Sequence, residues 1–254
     1  MSSFLSRSLK QILPERAVAQ LQALDHWFRG EPELRLIGQV CSRSKTAVDV
    51  GANIGTYTHF MRKYARSVIA YEPNPILASR LERLYPDVRV RNVAVSDRVA
   101  RVLLKMPVTD GNPAHALASI SQTFEDAREV MEFEVSTARL DDESLVDLGF
   151  LKIDVEQHER EVLLGALGTI RRCRPIIMTE TTPLLYQEVL PRHFGFVIEL
   201  GYVGWFTFRK RSYSFDQFDP AVHANPDRFG TEDFMNPNAF LVPQEISGDS
   251  ILNR

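Results

Sequence analysis

Short apolar runs alternate with amphipathic stretches along most of the chain. Residues 47–50, 68–71 and 151–154 are rich in apolar and β-branched side chains, which is typical of buried strands. Between these runs, apolar residues recur at helical spacing, which predicts helices over 57–64 and 159–167. This alternation predicts a doubly wound, mostly parallel α/β sheet. Further strands are predicted at 88–95, 175–180, 203–208 and 240–242, the last antiparallel at the sheet edge, and further helices at 77–84 and 184–189.

Three regions depart from this rhythm. Residues 100–106 and 133–140 alternate as strands and flank a polar stretch over residues 109–128. A loop of that length inside a compact domain is usually functional, so we expect it to line a pocket or to cover one as a lid. The Pro-, Asp- and Asn-rich residues 211–238 predict a surface loop, and the acids at 141–142 are typical of a helix N-cap.

The first 44 residues predict helices that lie outside the sheet. Residues 1–13 place their apolar side chains on one half of a helix, with Arg7 and Lys10 outside it. Such a basic amphipathic segment can contact a membrane surface, but docking on its own domain or on a partner subunit is favoured. A second helix is predicted between Pro14 and Gly30. The expected organisation is a helical cap over residues 1–44, one domain over residues 45–243 and a flexible tail over residues 244–254.

Composition narrows the class of protein. The 254 residues carry a net charge of −3, which argues against broad nucleic-acid binding because that function usually needs a basic surface. The two cysteines, Cys41 and Cys173, form no disulfide framework and fit the reducing cytoplasm. No stretch approaches 18 consecutive apolar residues, so no transmembrane helix is expected.

A glycine loop follows the first predicted strand, in the pattern Asp49-x-Gly51-x-x-x-Gly55. A strand that runs through such a loop into a helix brings backbone N–H groups to one point, where a nucleotide-like ligand can bind. The dinucleotide fingerprint has glycine where this chain has Asn53, and Asp49 is a poor neighbour for a pyrophosphate. Glu72 ends the second strand, where an acid can accept hydrogen bonds from ribose hydroxyls. Together these residues indicate an adenosyl cofactor without phosphates, S-adenosylmethionine.

Five sequence blocks follow one another along the chain: DVGANIG at 49–55, YEPN at 71–74, NVAVS at 92–96, LKIDVEQHE at 151–159 and RPIIMTE at 174–180. In their order and spacing these blocks resemble the FkbM family of S-adenosylmethionine-dependent methyltransferases. The resemblance covers roughly residues 45–205. Gln157 stands where the family usually has glycine, which predicts a different loop shape there.

The resemblance implies a Rossmann-like class I methyltransferase fold, with a mostly parallel seven-stranded sheet and a helical N-terminal addition. It also implies O-methylation of a hydroxyl on a sugar, a glycolipid precursor or a glycosylated natural product, so the expected partner is a small-molecule or glycan acceptor. Alternatives are N-methylation of a small amine, an NAD-dependent oxidoreductase, and a protein that binds the cofactor without turnover; homo-oligomerisation stays open. The predicted cofactor-binding residues are Asp49, Gly51, Ala52, Asn53, Gly55, Tyr57, Glu72, Asn92 and Ala94.

Acids end four predicted strands, at Asp49, Glu72, Asp154 and Glu180. In an open α/β sheet ligands bind beyond the carboxyl ends of the strands, so these side chains can face one crevice. A hydroxyl that takes a methyl group must lose its proton, and Asp154, His158 or Glu180 is predicted to act as the base. Alternatively, Asp154 and Glu180 hold Mg²⁺, which acidifies a hydroxyl. The structural alternatives are a helix N-cap for Asp154 and an ordinary histidine for His158; Glu156 and Lys152 are further candidates for the acceptor side.

Overall fold

A computed structural model of the chain places helices on both faces of a large sheet. The predicted segments at residues 1–12 and 184–189, and the predicted helix end at Gly30, lie outside the described residues. The structure describes residues 13–29, 31–109, 111–124, 127–181, 190–229, 231–246 and 248–252.

Helices flank the strands in the order that the periodicity predicts. Within the described parts of the chain, none of them combines the length and the apolar character that spanning a membrane requires. The helices are α1 (Glu15–Arg29), α2 (Ile37–Val40), α3 (Thr56–Tyr64), α4 (Pro75–Leu84), α5 (Glu159–Leu164), α6 (Leu167–Cys173), α7 (Leu190–His193), α8 (Gly195–Ile198), α9 (Pro220–His223) and α10 (Gly248–Leu252), with 3-10 turns at Pro32–Leu36, His115–Leu117, Leu140–Glu143, Phe215–Gln217 and Pro226–Arg228.

The strands form two sheets. In chain order they are β1 (Thr46–Val50), β2 (Ser67–Tyr71), β3 (Arg89–Arg91), β4 (Ala94–Val95), β5 (Arg101–Thr109), β6 (Asn112–Pro113), β7 (Val130–Ala138), β8 (Leu148–Ile153), β9 (Ile176–Glu180), β10 (Tyr202–Phe208), β11 (Arg211–Ser214) and β12 (Asn238–Pro243).

The larger sheet confirms the predicted doubly wound architecture. Its strand order is β11-β10-β12-β9-β8-β1-β2-β3. The five strands β9, β8, β1, β2 and β3 are mutually parallel, and β12 is antiparallel to both of its neighbours. Chain order reverses between β1 and β8, so a crevice opens there beyond the strand ends. The predicted edge position of β12 is wrong: the strand lies inside the sheet, which agrees with the burial of all six of its residues.

The sheet has eight strands within the described residues instead of the predicted seven. The additional strand is β11, which pairs antiparallel with β10 through a two-residue turn at Arg209 and Lys210. Both turn residues have positive φ, 48° and 64°, as a tight hairpin turn of this kind requires. Asn and Gly normally signal such a turn, so the Arg-Lys pair gave no sequence signal and residues 211–214 were predicted as loop.

The apolar runs are buried on both sides because helices cover both faces of the sheet. Val48 and Val50 of β1 pack with α5 and α6 on one face. Ala47 packs on the other face with α3, α4 and the cap helices, where Leu34 and Ile37 are almost completely buried. The described part of the predicted cap therefore shares a core with the domain, and its apolar residues hold it on the sheet.

The second sheet, in the order β4-β7-β5-β6, stands beside the first. Its antiparallel pair β5 and β7 confirms the two strands predicted on either side of the polar stretch. The single strand predicted at 88–95 is divided: β3 joins the large sheet, while β4 pairs with β7. Residues 92–93 make this transition, so the end of β3 and the small sheet come to lie around one opening.

Two predicted boundaries are corrected. The helix predicted over residues 159–167 ends at Leu164, and a second helix, α6, begins at Leu167. The Asp141 carboxylate caps the first turn of α6, because it accepts the backbone N–H groups of Gly168 at 3.1 Å and Thr169 at 2.7 Å. The predicted N-cap acid thus acts on a distant helix. The tail predicted to be flexible contains α10, in which Leu252 is buried and Gly248 lies against the Trp205 ring.

Gly165 separates α5 from α6 and touches the chain just after β4. A Cβ at this position would lie 2.0 Å from the Ser96 carbonyl oxygen, which is backbone and cannot move freely. We expect Gly165→Ala to destabilise the fold by about 2 kcal/mol or more in urea denaturation, because overpacking forces a backbone shift. Gly195→Ala is the matched control: a Cβ at the start of α8 meets nothing within 4 Å, so this variant should be as stable as the wild type or slightly more stable. Equal stability of both variants would contradict the packing argument.

Candidate active site

A cavity of about 490 Å³ opens at the carboxyl ends of β1, β2, β8 and β9. Its floor is the loop at residues 50–54, and its sides include residues 71–73 after β2 and residues 154–156 after β8. The small sheet contributes Val93, Ala94 and Val95, and the segment after β6 contributes His115, Ala118 and Ile120. The cavity thus lies at the crevice that the strand order creates.

Gly51 allows the floor loop to touch the end of β8. Its φ is +75°, and a Cβ would lie 1.8 Å from the Asp154 carbonyl oxygen, so no other residue fits. Three of the predicted cofactor-binding residues line the cavity: Ala52, Asn53 and Tyr57. Gly55 does not line the cavity. Its positive φ and the close approach of neighbouring side chains require glycine here, so its role is to let α3 pack against the adjacent residues.

Glu72 joins the floor loop to the end of β2. Its carboxylate accepts the backbone N–H of Asn53 at 2.7 Å and that of Asn74 at 2.9 Å. Burial raises the pKa of Glu72 to about 7, although these two hydrogen bonds act to lower it. A carboxylate has about four acceptor positions, so both oxygens retain capacity for the ribose hydroxyls. The backbone N–H of Asn53, in contrast, already donates to Glu72 and is not free to bind a pyrophosphate.

Asp49, a predicted cofactor-binding residue, lies beneath the cavity and is not among the residues that line it. It is completely buried, and its carboxylate accepts the Thr58 hydroxyl at 2.6 Å. The Lys152 ammonium lies 3.4 Å from Asp49 and 3.2 Å from Asp154, and it donates to the Gly51 carbonyl at 2.9 Å. Burial acts to lower the pKa of Lys152, but the carboxylates of Asp154 and Asp49 raise it above its ordinary value. Lys152 therefore stays charged and joins the two acids.

Asn92 and Ala94 have separate roles at the end of β3. The Asn92 amide donates to the backbone carbonyls of Glu72 at 2.9 Å and Pro73 at 2.8 Å. It shapes the residues after β2 and is not among the residues that line the cavity, so its contact with the cofactor stays a prediction. Ala94 is buried and does line the cavity.

Three acids, Asp154, Glu156 and Glu180, face one another across the cavity. Each places an oxygen within 4.8 Å of the oxygens of the other two. Burial, together with the charges of Asp154 and Glu156, raises the pKa of Glu180 to about 9. Burial and the Asp154 charge raise the pKa of Glu156 to about 7. The cluster therefore retains protons at neutral pH, and Glu180 is the residue that holds one most firmly.

His158 lines the cavity, but both of its ring nitrogens are engaged. Nε2 is 2.9 Å from the Ser96 hydroxyl and Nδ1 is 2.7 Å from the Ser121 hydroxyl. Burial lowers the pKa of His158, which favours the neutral ring. To act as the predicted base, the ring would have to give up a serine. The geometry instead makes His158 a link between the turn after β8 and the segment that contains Ser121.

The polar stretch predicted as a pocket wall or lid spans the cavity. At one end, His115 Nδ1 is 3.1 Å from the Asn74 side-chain amide, next to Glu72. At the other end, the Ser119 hydroxyl donates to the Glu156 carbonyl at 2.6 Å. Backbone hydrogen bonds between Ser119 and Lys105 hold the segment on β5. Residues 114–122 are thus tied to both sides of the opening.

The cap contributes two residues that the sequence did not indicate, His26 and Glu31. The Tyr57 hydroxyl donates to Glu31 at 2.5 Å. Burial raises the pKa of Tyr57 well above its ordinary value, and the Glu31 charge adds to this. The sequence contains no periodicity or motif that links residue 31 to residue 57, so this contact could not be predicted.

The sequence model of the Methyltransferase FkbM domain matches residues 49–215, about two thirds of the chain. The chain belongs to the FkbM methyltransferase family. This membership disfavours the NAD-dependent alternative. No curated protein matches the chain.

Solved structures similar to this FkbM-family chain include three methyltransferases. The methyltransferase FkbM of Methylobacillus flagellatus is 16% identical with a TM-score of 0.49, over 91% of this chain and 56% of that one. The chain thus spans little more than half the length of that protein. The TehB-like S-adenosylmethionine-dependent methyltransferase of Corynebacterium glutamicum is 15% identical (TM-score 0.42; 89% and 96% covered). An rRNA methylase of Streptococcus thermophilus is 11% identical (TM-score 0.41; 83% and 92% covered).

The cavity of this FkbM-family chain fits the methyl donor chemically. S-Adenosylmethionine carries a sulfonium and an α-ammonium group, and it has no phosphate. Counted over the described residues, five carboxylates line the cavity against one lysine ammonium, which two acids already neutralise. An excess of acceptors and negative charge attracts such a ligand. The carboxylates are those of Glu31, Glu72, Asp154, Glu156 and Glu180.

Removing the Lys152 charge tests the buried ion network. Lys152→Met keeps much of the side-chain length but leaves Asp49 charged in a site without water contact. We expect a loss of about 3–5 kcal/mol of stability in urea denaturation, the usual cost of one unpaired buried charge. Lys152→Met combined with Asp49→Asn should recover much of this loss, because the buried charge is gone. A single variant as stable as the wild type would show that Asp49 needs no counter-charge.

The raised pKa of Glu180 predicts a pH-dependent stability. The unfolded side chain ionises near pH 4.5 and the folded one near pH 9, so its stabilising contribution is complete below 4.5 and is lost as the pH rises through 9. Glu180→Gln mimics the protonated acid at every pH. We expect its melting temperature to equal that of the ligand-free wild type at pH 4.5 and to exceed it at pH 8.5 by clearly more than the about 2–4 °C that 1 kcal/mol produces in a domain of this size. The same difference at both pH values would assign the titration to another group.

Proposed function

We propose that the protein transfers a methyl group from S-adenosylmethionine to a hydroxyl of a sugar, a glycolipid precursor or a glycosylated natural product. The observation that supports transfer to oxygen is the pair of carboxylates, Asp154 and Glu180, on the cavity wall at the ends of β8 and β9. A hydroxyl acceptor must lose a proton, and a carboxylate within hydrogen-bond reach can take it. The sugar class rests on the resemblance between the sequence blocks and the FkbM family.

Asp154 is the residue best suited to take the proton. The Lys152 ammonium lies 3.2 Å from its carboxylate, and about a third of the Asp154 side chain stays accessible. Glu180 keeps its own proton at neutral pH, so the pair carries one proton and one free acceptor. The donor, when bound, supplies an electrophilic methyl group on its sulfonium. Asp154 orients the acceptor hydroxyl and receives its proton, while residues 114–122 and the cap limit the access of water.

A divalent cation is a second version of the same role. Asp154, Glu156 and Glu180 offer carboxylate oxygens within 4.8 Å of one another, a donor set that suits Mg²⁺. A cation held by Asp154 and Glu180, with Glu156 as a third ligand, would lower the pKa of a bound hydroxyl. The Lys152 ammonium beside Asp154 opposes this version, because it already supplies a positive charge at the same oxygen.

The same acids favour oxygen over nitrogen as the acceptor atom. An amine attacks only in its neutral form, whereas a cluster of carboxylates stabilises the ammonium form. An N-methyltransferase would be served better by a desolvated pocket without Asp154, Glu156 and Glu180. The cytoplasm is the compartment we propose, since Cys41 and Cys173 are both free thiols.

Two measurements test the proposed function. Calorimetric titration of the purified protein with S-adenosylhomocysteine and, separately, with NAD should show binding of the first alone. A screen of sugars, nucleotide sugars and small amines with S-adenosylmethionine, read by the mass of the product, should then show a gain of one methyl group on an oxygen. Methylated amines, or cofactor binding without any turnover, would overturn the proposal.

Asp154→Asn should separate chemistry from cofactor binding. The variant keeps the shape of the side chain but removes its negative charge. We expect S-adenosylhomocysteine affinity within about threefold of the wild type, and kcat lower by about 10²–10⁴, the usual effect of losing a general base. EDTA followed by Mg²⁺ distinguishes the two versions in the wild type: loss and rescue of turnover indicate a cation, and indifference indicates a plain base. A variant that turns over at the wild-type rate would leave Asp154 only its structural pairing with Lys152.

A further inference from the structure

Glu31 enters the donor cavity from outside the family domain. The matched domain begins at residue 49 and ends at residue 215. Glu31 precedes it, and the Asn238 side chain, which lies 3.5 Å from the Glu31 carboxylate, follows it. Segments on both sides of the domain therefore meet at the cavity wall.

The turn that carries Glu31 is fixed in place. It follows α1 and opens the 3-10 turn at Pro32–Leu36, in which Leu34 is buried in the core beside the sheet. Glu33, in the same turn, is only 2% exposed. Because the turn is anchored by these contacts, the Glu31 carboxylate has a defined position at the cavity.

A continuous series of contacts leads from Glu31 to the glycine loop. The Glu31 carboxylate accepts the hydroxyl of Tyr57, whose ring is 5% exposed. The Lys152 ammonium lies 5.2 Å from the centre of that ring, within range of a cation–π interaction. The same ammonium binds the Gly51 carbonyl and pairs with Asp154. The cap thus contacts the floor of the cavity and the proposed base through a single aromatic side chain.

We propose that Glu31 is a positioning residue of the donor site. By accepting the Tyr57 hydroxyl it fixes the ring that carries the Lys152 ammonium, and so makes the cap an obligatory part of cofactor binding. This inference rests on the assignment of S-adenosylmethionine as the donor and is independent of the acceptor. The competing explanation is that Glu31 only holds the cap on the domain.

Calorimetric titration with S-adenosylhomocysteine distinguishes these explanations. Glu31→Ala and Tyr57→Phe should each weaken binding by about tenfold, as expected for losing one hydrogen bond to a charged group. The double variant should be weakened to the same extent and not by the hundredfold that independent sites would give. Glu31→Gln should stay within about threefold of the wild type, because its amide oxygen still accepts the Tyr57 hydroxyl.

Glu15→Ala is the matched control. Glu15 is a cap acid that pairs with Arg80 at 3.3 Å and Arg83 at 3.5 Å, and it does not line the donor cavity. Its loss loosens the cap without touching Tyr57, so S-adenosylhomocysteine affinity should stay within about twofold of the wild type.

Three results would overturn the inference: wild-type affinity in Tyr57→Phe, additive effects in the double variant, or an equal loss in Glu15→Ala. Tyr57→Phe keeps the ring and decides the question alone if Glu31→Ala does not fold. A wild type that fails to bind S-adenosylhomocysteine would instead refute the assignment of the donor.

Discussion

The buried ammonium of Lys152 is the interaction on which the rest of the site depends. It joins two neighbouring parallel strands, because its partners are Asp49 of β1, Asp154 at the end of its own strand β8, and the carbonyl of Gly51. Removing an ammonium group from water is costly, and only such a complete set of partners offsets that cost. Glu31 supports this arrangement indirectly, because it accepts the hydroxyl of Tyr57, whose ring lies against the ammonium. The central sheet, the glycine loop and the Asp154 carboxylate are therefore held by one charge.

This arrangement explains why the acids around the cavity differ in character. Asp49 and Asp154 face the ammonium directly and share its charge. Glu180 and Glu156 are half-buried behind Asp154, so burial and the neighbouring negative charge raise the pKa of both. Lys152 thus contacts Asp49 and Asp154, while Glu156 and Glu180 are the members of the cluster that hold protons. Carboxyl groups whose pKa values are raised by burial and by a neighbouring charge are typical of sites that move protons.

The sequence predicted the parts of the molecule that depend on contiguous residues. Apolar runs located β1, β2, β8 and β9, and the loop at residues 51–53 with Glu72 was correctly placed at the cavity. Errors arose where a role depends on distant partners. The burial of Asp49 beneath the cavity was not predicted, because it depends on Thr58 and on Lys152 of another strand. The hairpin at Arg209 and Lys210 was missed because neither residue signals positive φ.

The same distinction explains why the donor is easier to infer than the acceptor. The donor side is built from one β-α-β segment, in which strand, loop and acid follow one another within residues 46–72. The proposed acceptor side is assembled from the ends of β8 and β9 and from residues 114–122. These segments are far apart in the sequence and meet only after folding. No contiguous pattern of residues could therefore indicate the acceptor, whereas the proposed donor loop lies in one stretch of the chain.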